Sequence, residues 1–233
     1  MRSEERTTAP LPRGLGEIDV DRRVSAGGEV TAGRTSSFTS FADSDVTDLI
    51  AEYPLAWLCP RGPAPLASSL LPLLAETDAG GKLTTLVGHM ARRNPLFALL
   101  QATPDVLILF TGPQAYVSPG LVSDPAWAPT WNYAQLRIEA RIVFDPEGGD
   151  AALAMLVAAM DREERTGWTR DRMGARYRPM EQAIIAFRAQ VVGVAGTFKL
   201  GQDEPPARLR EILAGHADPA LLRWMRRFNA ARV

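Results

Sequence analysis

The sequence predicts a mainly β fold with flanking helices, an α+β arrangement in which short strands pair antiparallel as a barrel or a sandwich. Short apolar runs are separated by turn formers such as Pro-Arg-Gly-Pro at 60–63 and Asp-Ala-Gly-Gly at 78–81. The connections between these runs are too short for repeated right-handed βαβ crossovers, which disfavours a doubly wound parallel sheet. Apolar residues at helical spacing lie before and after the β-rich region, so helices are expected around the sheet.

The first half of the chain is predicted to contain an extension, two helices and four strands. Residues 1–34 have no sustained apolar period and are expected to be a poorly ordered N-terminal extension. A short helix is expected after the capping residues Asp43-Ser44-Asp45. The expected strands lie at 55–59, 66–74, 82–89 and 106–111. The second helix is expected at 96–100, between the third and fourth strands.

The second half is predicted to complete the sheet and then turn helical. Residues 134–144 alternate between apolar and charged, as in a strand with one wet face. A helix through Leu153 to Met160 is expected to pack on the sheet, followed by a short helix from Pro179 to Ile185 and a strand at 187–200. Two C-terminal helices are expected after it, and the last is capped by Asp218 and begins at Pro219. We therefore expect a β domain at 35–204 with a helical insert near 148–186, followed by C-terminal helices at 205–233.

The composition is that of an ordinary globular chain. Its 233 residues are 46% hydrophobic and 23% charged, with a formal net charge of −1. No run reaches the ~18 apolar residues that a membrane helix needs, and the N-terminal residues lack the apolar segment of a secretory signal. Cys59, His89 and His216 are too scattered for a metal site. We expect a cytoplasmic protein that binds neither a membrane nor a metal.

One segment has the chemistry of an anion site. Gly-His-Met-Ala-Arg-Arg-Asn-Pro at 88–95 joins a predicted strand to a predicted helix. Gly88 permits close approach of the backbone, amides at a helix start attract phosphate, and Arg92 supplies a two-pronged donor. A plain turn with solvated arginines explains the same pattern, so both interpretations stay open.

Three later segments are candidates for the wall of a ligand site. They are Phe-Thr-Gly-Pro-Gln-Ala-Tyr-Val-Ser-Pro at 110–119, Ala-Pro-Thr-Trp-Asn-Tyr at 128–133 and Gly-Thr-Phe-Lys-Leu-Gly-Gln at 196–202. The first two combine rigid turns with aromatic side chains, which suit a planar heterocycle. Aromatics that cap a core corner, and a solvated lysine at a strand end, are the simpler interpretations.

Taken in order, these segments resemble the PaiB family, FMN-binding proteins named as negative transcriptional regulators. The resemblance rests on Gly-His-Met-Ala-Arg-x-Asn-Pro, Phe-x-Gly-Pro-x-Ala-Tyr-x-Ser-Pro, Pro-Thr-Trp-Asn-Tyr and Lys-Leu-x-Gln, and it runs from about Phe38 to about Gln202. It implies a split β-barrel of the pyridoxamine-phosphate-oxidase and flavin-reductase type. It also implies a homodimer with FMN in a groove at the subunit interface.

The same resemblance assigns cofactor-binding residues. Those expected around the FMN phosphate and ribityl chain are Gly88, His89, Ala91, Arg92 and Asn94. Those expected to line the flavin ring are Gly112, Pro113, Ala115, Tyr116, Thr130, Trp131, Asn132 and Tyr133. Those expected to close the pocket, from the same chain or from its partner, are Lys199 and Gln202. No catalytic residue is assigned.

The chain departs from the family pattern at several positions. The family's early-strand histidine is replaced by Ser69 or Leu70, which removes a proton-transfer group. Two aromatics are missing at 120–122, and Gly201 and Asp203 stand where the family has a serine and an asparagine. Because an anion near a phosphate weakens phosphate binding, retention of FMN is an open question.

Two alternatives to a flavin-binding regulator remain, and the regulator itself would need a DNA-binding surface. DNA binding depends on Arg223, Arg226 and Arg227 in a C-terminal third with a small basic surplus, without a helix-turn-helix signature. The barrel could instead serve a flavin-dependent oxidoreductase or flavin reductase. It could also be a non-catalytic dimeric binding protein that has lost FMN or holds another planar ligand such as haem, with His89 as the axial candidate.

Overall fold

Six antiparallel strands close into a barrel, which confirms the predicted fold class. The strands are β1 (Leu55–Pro60), β2 (Ser69–Thr77), β3 (Leu83–Ala91), β4 (Asp105–Val117), β5 (Thr130–Asp145) and β6 (Ile184–Lys199). Their order around the barrel is β1-β2-β3-β6-β5-β4, and β4 pairs with β1 to close it. We call the end where β3 finishes and β6 begins the upper end. The lower end is then where β4 and β6 finish and β5 begins.

This architecture is that of a computed structural model, which describes residues 37–62, 67–161 and 170–233. The predicted extension at 1–34 and residues 162–169 of the predicted insert lie outside the described residues. The predicted domain boundaries therefore stay predictions. Within the described ranges, no helix is both long and apolar enough to cross a membrane.

Side chains alternate between the barrel interior and its outer surface, as a pleated strand requires. In β5, Leu136 and Ile138 are buried whereas Arg137 and Arg141 are exposed, which confirms the predicted alternation. Other strands fill the same interior with the fully buried side chains of Leu58, Leu73, Leu86, Met90, Phe110, Phe187 and Phe198. The packed interior leaves the ends and the outer surface as places for a ligand.

In the described part of the chain, six α-helices flank the barrel: α1 (Asp43–Glu52), α2 (Pro95–Ala102), α3 (Gly149–Met160), α4 (Tyr177–Gln182), α5 (Pro206–Gly215) and α6 (Pro219–Phe228). Short 3₁₀ helices lie at Ser37–Thr39, Pro119–Leu121 and Arg170–Arg176. The helix α3 packs on β2, β3 and β6, as predicted. Asn94 and Asp218 cap α2 and α6, and each is followed by a proline at the first helical position, which confirms the predicted start of α6.

Aromatic and ionic contacts fix α6 beside α1 and the lower end of β6. Trp224 is fully buried and stacks on Phe198 with ring centroids 6.0 Å apart. Arg223 donates to the Glu52 carboxylate at 2.7 Å, and Arg227 donates to Asp48 at the same distance. The arginines on the outer face of α6 are therefore largely committed to the acidic face of α1.

Two predicted helix boundaries are wrong. The helix expected from Pro179 to Ile185 is α4, which begins two residues earlier and ends at Gln182. Ile184 and Ile185 instead begin β6, because their backbones pair with β3 across the sheet and long-range pairing outweighs local preference. At α1 the N-cap is Ala42 rather than an aspartate; Asp45 accepts the Ala42 N–H from within the first turn at 2.7 Å.

Candidate functional site

The predicted anion segment lies at the upper end of the barrel, where β3 leads into α2. The predicted residues of this corner are Gly88, His89 and Ala91 in β3, then Arg92 and Asn94 before α2. The Asn94 side-chain oxygen accepts the Leu96 N–H at 3.0 Å, and its amide donates to the Ser69 hydroxyl at 3.0 Å. The asparagine is thus engaged within the chain, which leaves the arginines to meet an anion.

Arg92 is held in place by two backbone carbonyls, one just before the helical insert and one near its end. Its Nε donates to the carbonyl of Gln182 at 3.1 Å, and its Nη2 donates to the carbonyl of Pro146 at 3.3 Å. The side chain is exposed, and a guanidinium carries more N–H donors than these two bonds use. Arg92 is therefore an anchored cation with donors left for a ligand.

Gly88 and His89 contribute to the corner in different ways. A Cβ on Gly88 would lie 2.5 Å from Leu73 Cδ2 and 2.9 Å from Phe187 Cζ, so this glycine is required by packing inside the barrel. His89 lies on the opposite, outer face of β3 and is half-buried. Burial lowers the pKa of His89, so its ring is neutral at neutral pH.

The predicted aromatic wall lies at the lower end, on the outer surface of β4 and β5. Tyr116 and Trp131 are direct partners across the two strands, 47% and 55% exposed, with ring centroids 6.0 Å apart. Tyr133 is half-buried two residues further along β5 and pairs with Lys199 of β6. The Lys199 ammonium donates to the Thr130 hydroxyl. These side chains combine flat apolar surface, hydroxyl groups and one cation.

A bulge in β4 sets the side on which the wall faces. The register between β4 and β5 shifts between Thr111 and Gln114, at Gly112 and Pro113. Both residues are buried, and a Cβ on Gly112 would lie 2.9 Å from Leu49 Cδ1 of α1. The extra residue at the Gly-Pro pair shifts the alternation of side chains after the bulge, so that Tyr116 faces outward. Ala115, between the bulge and Tyr116, pairs with Asn132.

Two other predicted residues serve the fold around the wall. Asn132 is only 2% exposed and its Nδ2 lies 3.6 Å from Met225 Sδ of α6. The Gln202 side chain accepts the Leu200 N–H at 2.7 Å and donates to the Phe198 carbonyl at 2.6 Å, so it closes the turn after β6. Their side chains are committed to these contacts and do not extend the outer wall.

The corner and the wall lie at opposite ends of the barrel in one chain. Gly88 and His89 pair with Phe187 and Ala186 near the start of β6, whereas Lys199 is its last residue. Thirteen residues from Ala186 to Lys199 correspond to roughly 40 Å of extended strand. The structure therefore forms two separate clusters from the predicted site residues.

Sequence reasoning missed two polar residues of the corner. The motif treats Arg93 as a spacer, yet its side chain is exposed directly beside Arg92. Ser69 stands out in the sequence only as a departure from the family pattern, yet its hydroxyl accepts a hydrogen bond from the Asn94 amide. The double arginine was a visible signal for the first. No local signal could reveal the second, because the contact joins residues 25 positions apart.

Comparison with known proteins finds relatives of the barrel domain. Residues 35–192 match the family described as "Putative FMN-binding domain". The protease synthase and sporulation protein PAI 2 of Bacillus subtilis (strain 168) is 25% identical over 120 residues. That match covers 51% of this chain and 58% of the relative, so it spans less than two thirds of the relative's length.

Solved structures share the fold at low sequence identity. The FAD and heme binding protein from Mycobacterium smegmatis is 17% identical with a TM-score of 0.53, and the match covers 77% of this chain and 81% of that one. The flavocytochrome Anf3 from Azotobacter vinelandii is 13% identical with a TM-score of 0.53, over 78% of this chain and 77% of that one. The family match covers well over half of this sequence, and the chain therefore belongs to that family, the PaiB family.

Proposed function

We propose that this protein binds FMN between two copies of the chain, with the wall of one copy and the corner of the other around a single flavin. The observation that carries the proposal is the outward-facing cluster of Tyr116, Trp131 and Lys199 at the lower end. Bound FMN would supply the electron chemistry, while the protein would supply orientation and the polarity around the ring.

The chemistry of the wall fits one end of the cofactor. Tyr116 and Trp131 offer flat apolar surface to a planar ring, and both remain about half exposed in a single chain. Among the described residues, no ion pair to a carboxylate engages Lys199, so its charge is available to an electron-rich ligand atom. Tyr133 and Thr130 provide hydroxyl groups nearby.

The chemistry of the corner fits the phosphate end. Arg92 is exposed and already oriented by two backbone carbonyls, so little side-chain entropy would be lost when an anion binds. Arg93 adds a second exposed cation. We propose that these two arginines, rather than Gly88 or Asn94, supply the side-chain contacts to the phosphate.

Separation of the two clusters supports a homodimer. A second chain would bring its corner to the wall of the first, so that one flavin contacts both. Three large apolar side chains on the outer surface, Leu55, Trp57 and Leu70, are about half exposed, and Trp57 pairs directly with Leu70. An exposed apolar patch on a sheet is typical of an interface, and Trp57 of this patch pairs with Leu109 of β4.

FMN binding is tested by spectroscopy and by a pair of lysine variants. The purified protein is expected to be yellow, or to quench the fluorescence of added FMN, and the chromophore released by heat is expected to have the mass of FMN. Lys199→Gln should raise the FMN dissociation constant about tenfold, because a charge-assisted contact is lost. Lys82→Gln is the matched control, since Lys82 is the other lysine of the chain and is exposed in the turn before β3.

The same measurements separate the alternative ligands. A haem spectrum, or equal FMN affinity in both lysine variants, would contradict the proposed use of the wall. Oxidation of NADH or NADPH faster than by free FMN would assign an oxidoreductase to the bound flavin. Direct DNA binding by α6 has little support, because Arg223 and Arg227 are paired with carboxylates of α1.

A further inference from the structure

We infer that four residues in and around α5 position the aromatic wall by holding the loop that joins its two strands; the inference rests on the proposed function of the wall. The loop is residues 118–129, between the ends of β4 and β5. The four residues are Glu204, Arg208, Glu211 and His216, which we call the α5 clamp. They lie beyond residues 35–192, where the family match ends.

The first contact of the clamp holds the middle of the loop. The Glu211 carboxylate accepts the Ser123 backbone N–H at 2.6 Å and the Ser123 hydroxyl at 2.7 Å, one bond to each oxygen. Arg208 donates to the neighbouring Asp124 carboxylate at 2.6 Å. Two consecutive loop residues are thus bound by two residues of one helix turn.

The second contact holds the part of the loop that leads into β5. Trp127 donates its indole N–H to the Glu204 carboxylate, at 3.0 and 3.2 Å from the two oxygens. The Glu204 side chain is only 11% exposed and also lies 3.4 Å from Arg208. A buried carboxylate with two such partners is costly to displace, so this contact fixes the loop four residues before Trp131.

The third contact reaches the wall itself. His216 Nδ1 accepts the Asp218 N–H at 3.1 Å, which leaves the Nε2–H to donate to the Tyr116 carbonyl at 3.2 Å. The clamp therefore acts on the wall residue of β4 and on the loop that leads to the wall residue of β5.

The loop needs such contacts because it is long. A connection of twelve residues between paired strands is well beyond the usual hairpin length, and it contains only a short 3₁₀ helix at Pro119–Leu121. Without side-chain contacts its conformational freedom would extend into the last residue pairs of β4 and β5. Tyr116 and Trp131 form the second of those pairs, counted from the loop.

The Ser123 contact is intact at neutral pH. Hydrogen bonds from the Ser123 side chain and backbone lower the pKa of Glu211, and they outweigh burial, which raises it; smaller effects come from Arg208, which lowers the pKa, and from Asp124, which raises it. The contact therefore stabilises the loop above the ordinary glutamate pKa of 4.5 and is lost only as the pH falls through the lowered value.

Two arginines of α5 give a matched test on the full-length protein. Arg208→Ala removes the contact to Asp124, whereas Arg210→Ala removes an exposed arginine of the same helix. Hydrogen exchange measured by mass spectrometry should become about tenfold faster at residues 116–131 in Arg208→Ala and stay unchanged in Arg210→Ala. The FMN dissociation constant should rise about three- to tenfold in the first variant only, and Arg208→Lys should restore part of it.

The outcomes separate this inference from the proposed function. If hydrogen exchange at residues 116–131 is unchanged in the Arg208→Ala protein, the inference about the α5 clamp is overturned. It is also overturned if exchange is faster but the affinity for FMN is unaltered. If the wild-type protein binds no FMN, the proposed function fails, and the clamp then stands or falls on exchange at Tyr116 and Trp131. If hydrogen exchange in the Arg208→Ala protein is faster throughout β3 as well, the substitution has loosened the whole barrel. The Asp124→Asn protein, which loses the same contact from the loop side, is then measured instead, and the same outcomes apply.

Discussion

Mixing an Arg92→Met protein with a Trp131→Ala protein is expected to restore FMN binding that neither variant has alone. Arg92 lies in the corner at the upper end of the barrel, and Trp131 lies in the wall at the lower end. If one flavin uses the corner of one chain and the wall of its partner, a mixed dimer has one intact site and one doubly altered site. Titration with FMN after the two variants have exchanged subunits measures the recovery.

The size of the recovery distinguishes a shared site from a single-chain site. Random exchange makes about half of the dimers mixed, so roughly a quarter of all sites should be intact. Recovery to that level with an affinity close to the wild-type value supports the composite flavin site. No recovery, with mixed dimers detected by mass spectrometry, would mean that each site takes its corner and its wall from the same chain, which contradicts the composite site. The single variants must first melt near the wild-type temperature, because Arg92 also holds the insert.

The wall was largely predictable from the sequence, but its separation from the corner was not. Tyr116, Trp131 and Tyr133 stand out locally, because aromatics beside Gly-Pro and Pro-Thr turns are visible in a short window. The distance between the two clusters depends on the register of β6 against both β3 and β5. Pairings between residues that are tens of positions apart, as in both of these strand pairs, leave no signature in a local pattern.

At two glycines of the motifs, Gly88 and Gly112, protein side chains occupy the space beside the backbone. Gly88 was expected to admit a ligand near the backbone, whereas the space beside it is filled by Leu73 and Phe187. Gly112 likewise packs against Leu49 of α1 and forms part of a bulge. A glycine requirement is readable from sequence, but what occupies the space beside it depends on tertiary packing.

The same limit applies to the arginines of α6. Their outward position follows from helical periodicity, which the sequence contains. Their partners Glu52 and Asp48 belong to a helix more than 170 residues away, so the ion pairs that occupy them had no local signal. Two of the three arginines that the sequence offers for nucleic-acid contact, Arg223 and Arg227, attach the last helix to the first.

Replacing Trp224 by alanine is expected to lower the free energy of unfolding by about 3–5 kcal/mol. The side chain is 1% exposed and lies against Phe198 and Phe228, with ring centroids 6.0 and 6.2 Å away. Its indole N–H also donates to the Glu52 carboxylate at 2.9 Å. The substitution would leave a cavity between α6 and β6 and would release one partner of the α1 carboxylate. Urea denaturation followed by circular dichroism measures the loss.

Two further tryptophan variants assign the cause of that loss. Trp131→Ala removes a side chain that is 55% exposed, and its cost should stay below about 1 kcal/mol. Trp224→Phe keeps most of the aromatic packing and removes the hydrogen bond to Glu52, so about 1–2 kcal/mol is expected. If Trp224→Ala lowers the free energy of unfolding by less than about 1 kcal/mol, the packing of α6 contributes little to the stability of the barrel. The α5 clamp would then be attached to a helix pair too weakly held to position the wall, because the His216 contact to Tyr116 lies in the link between α5 and α6.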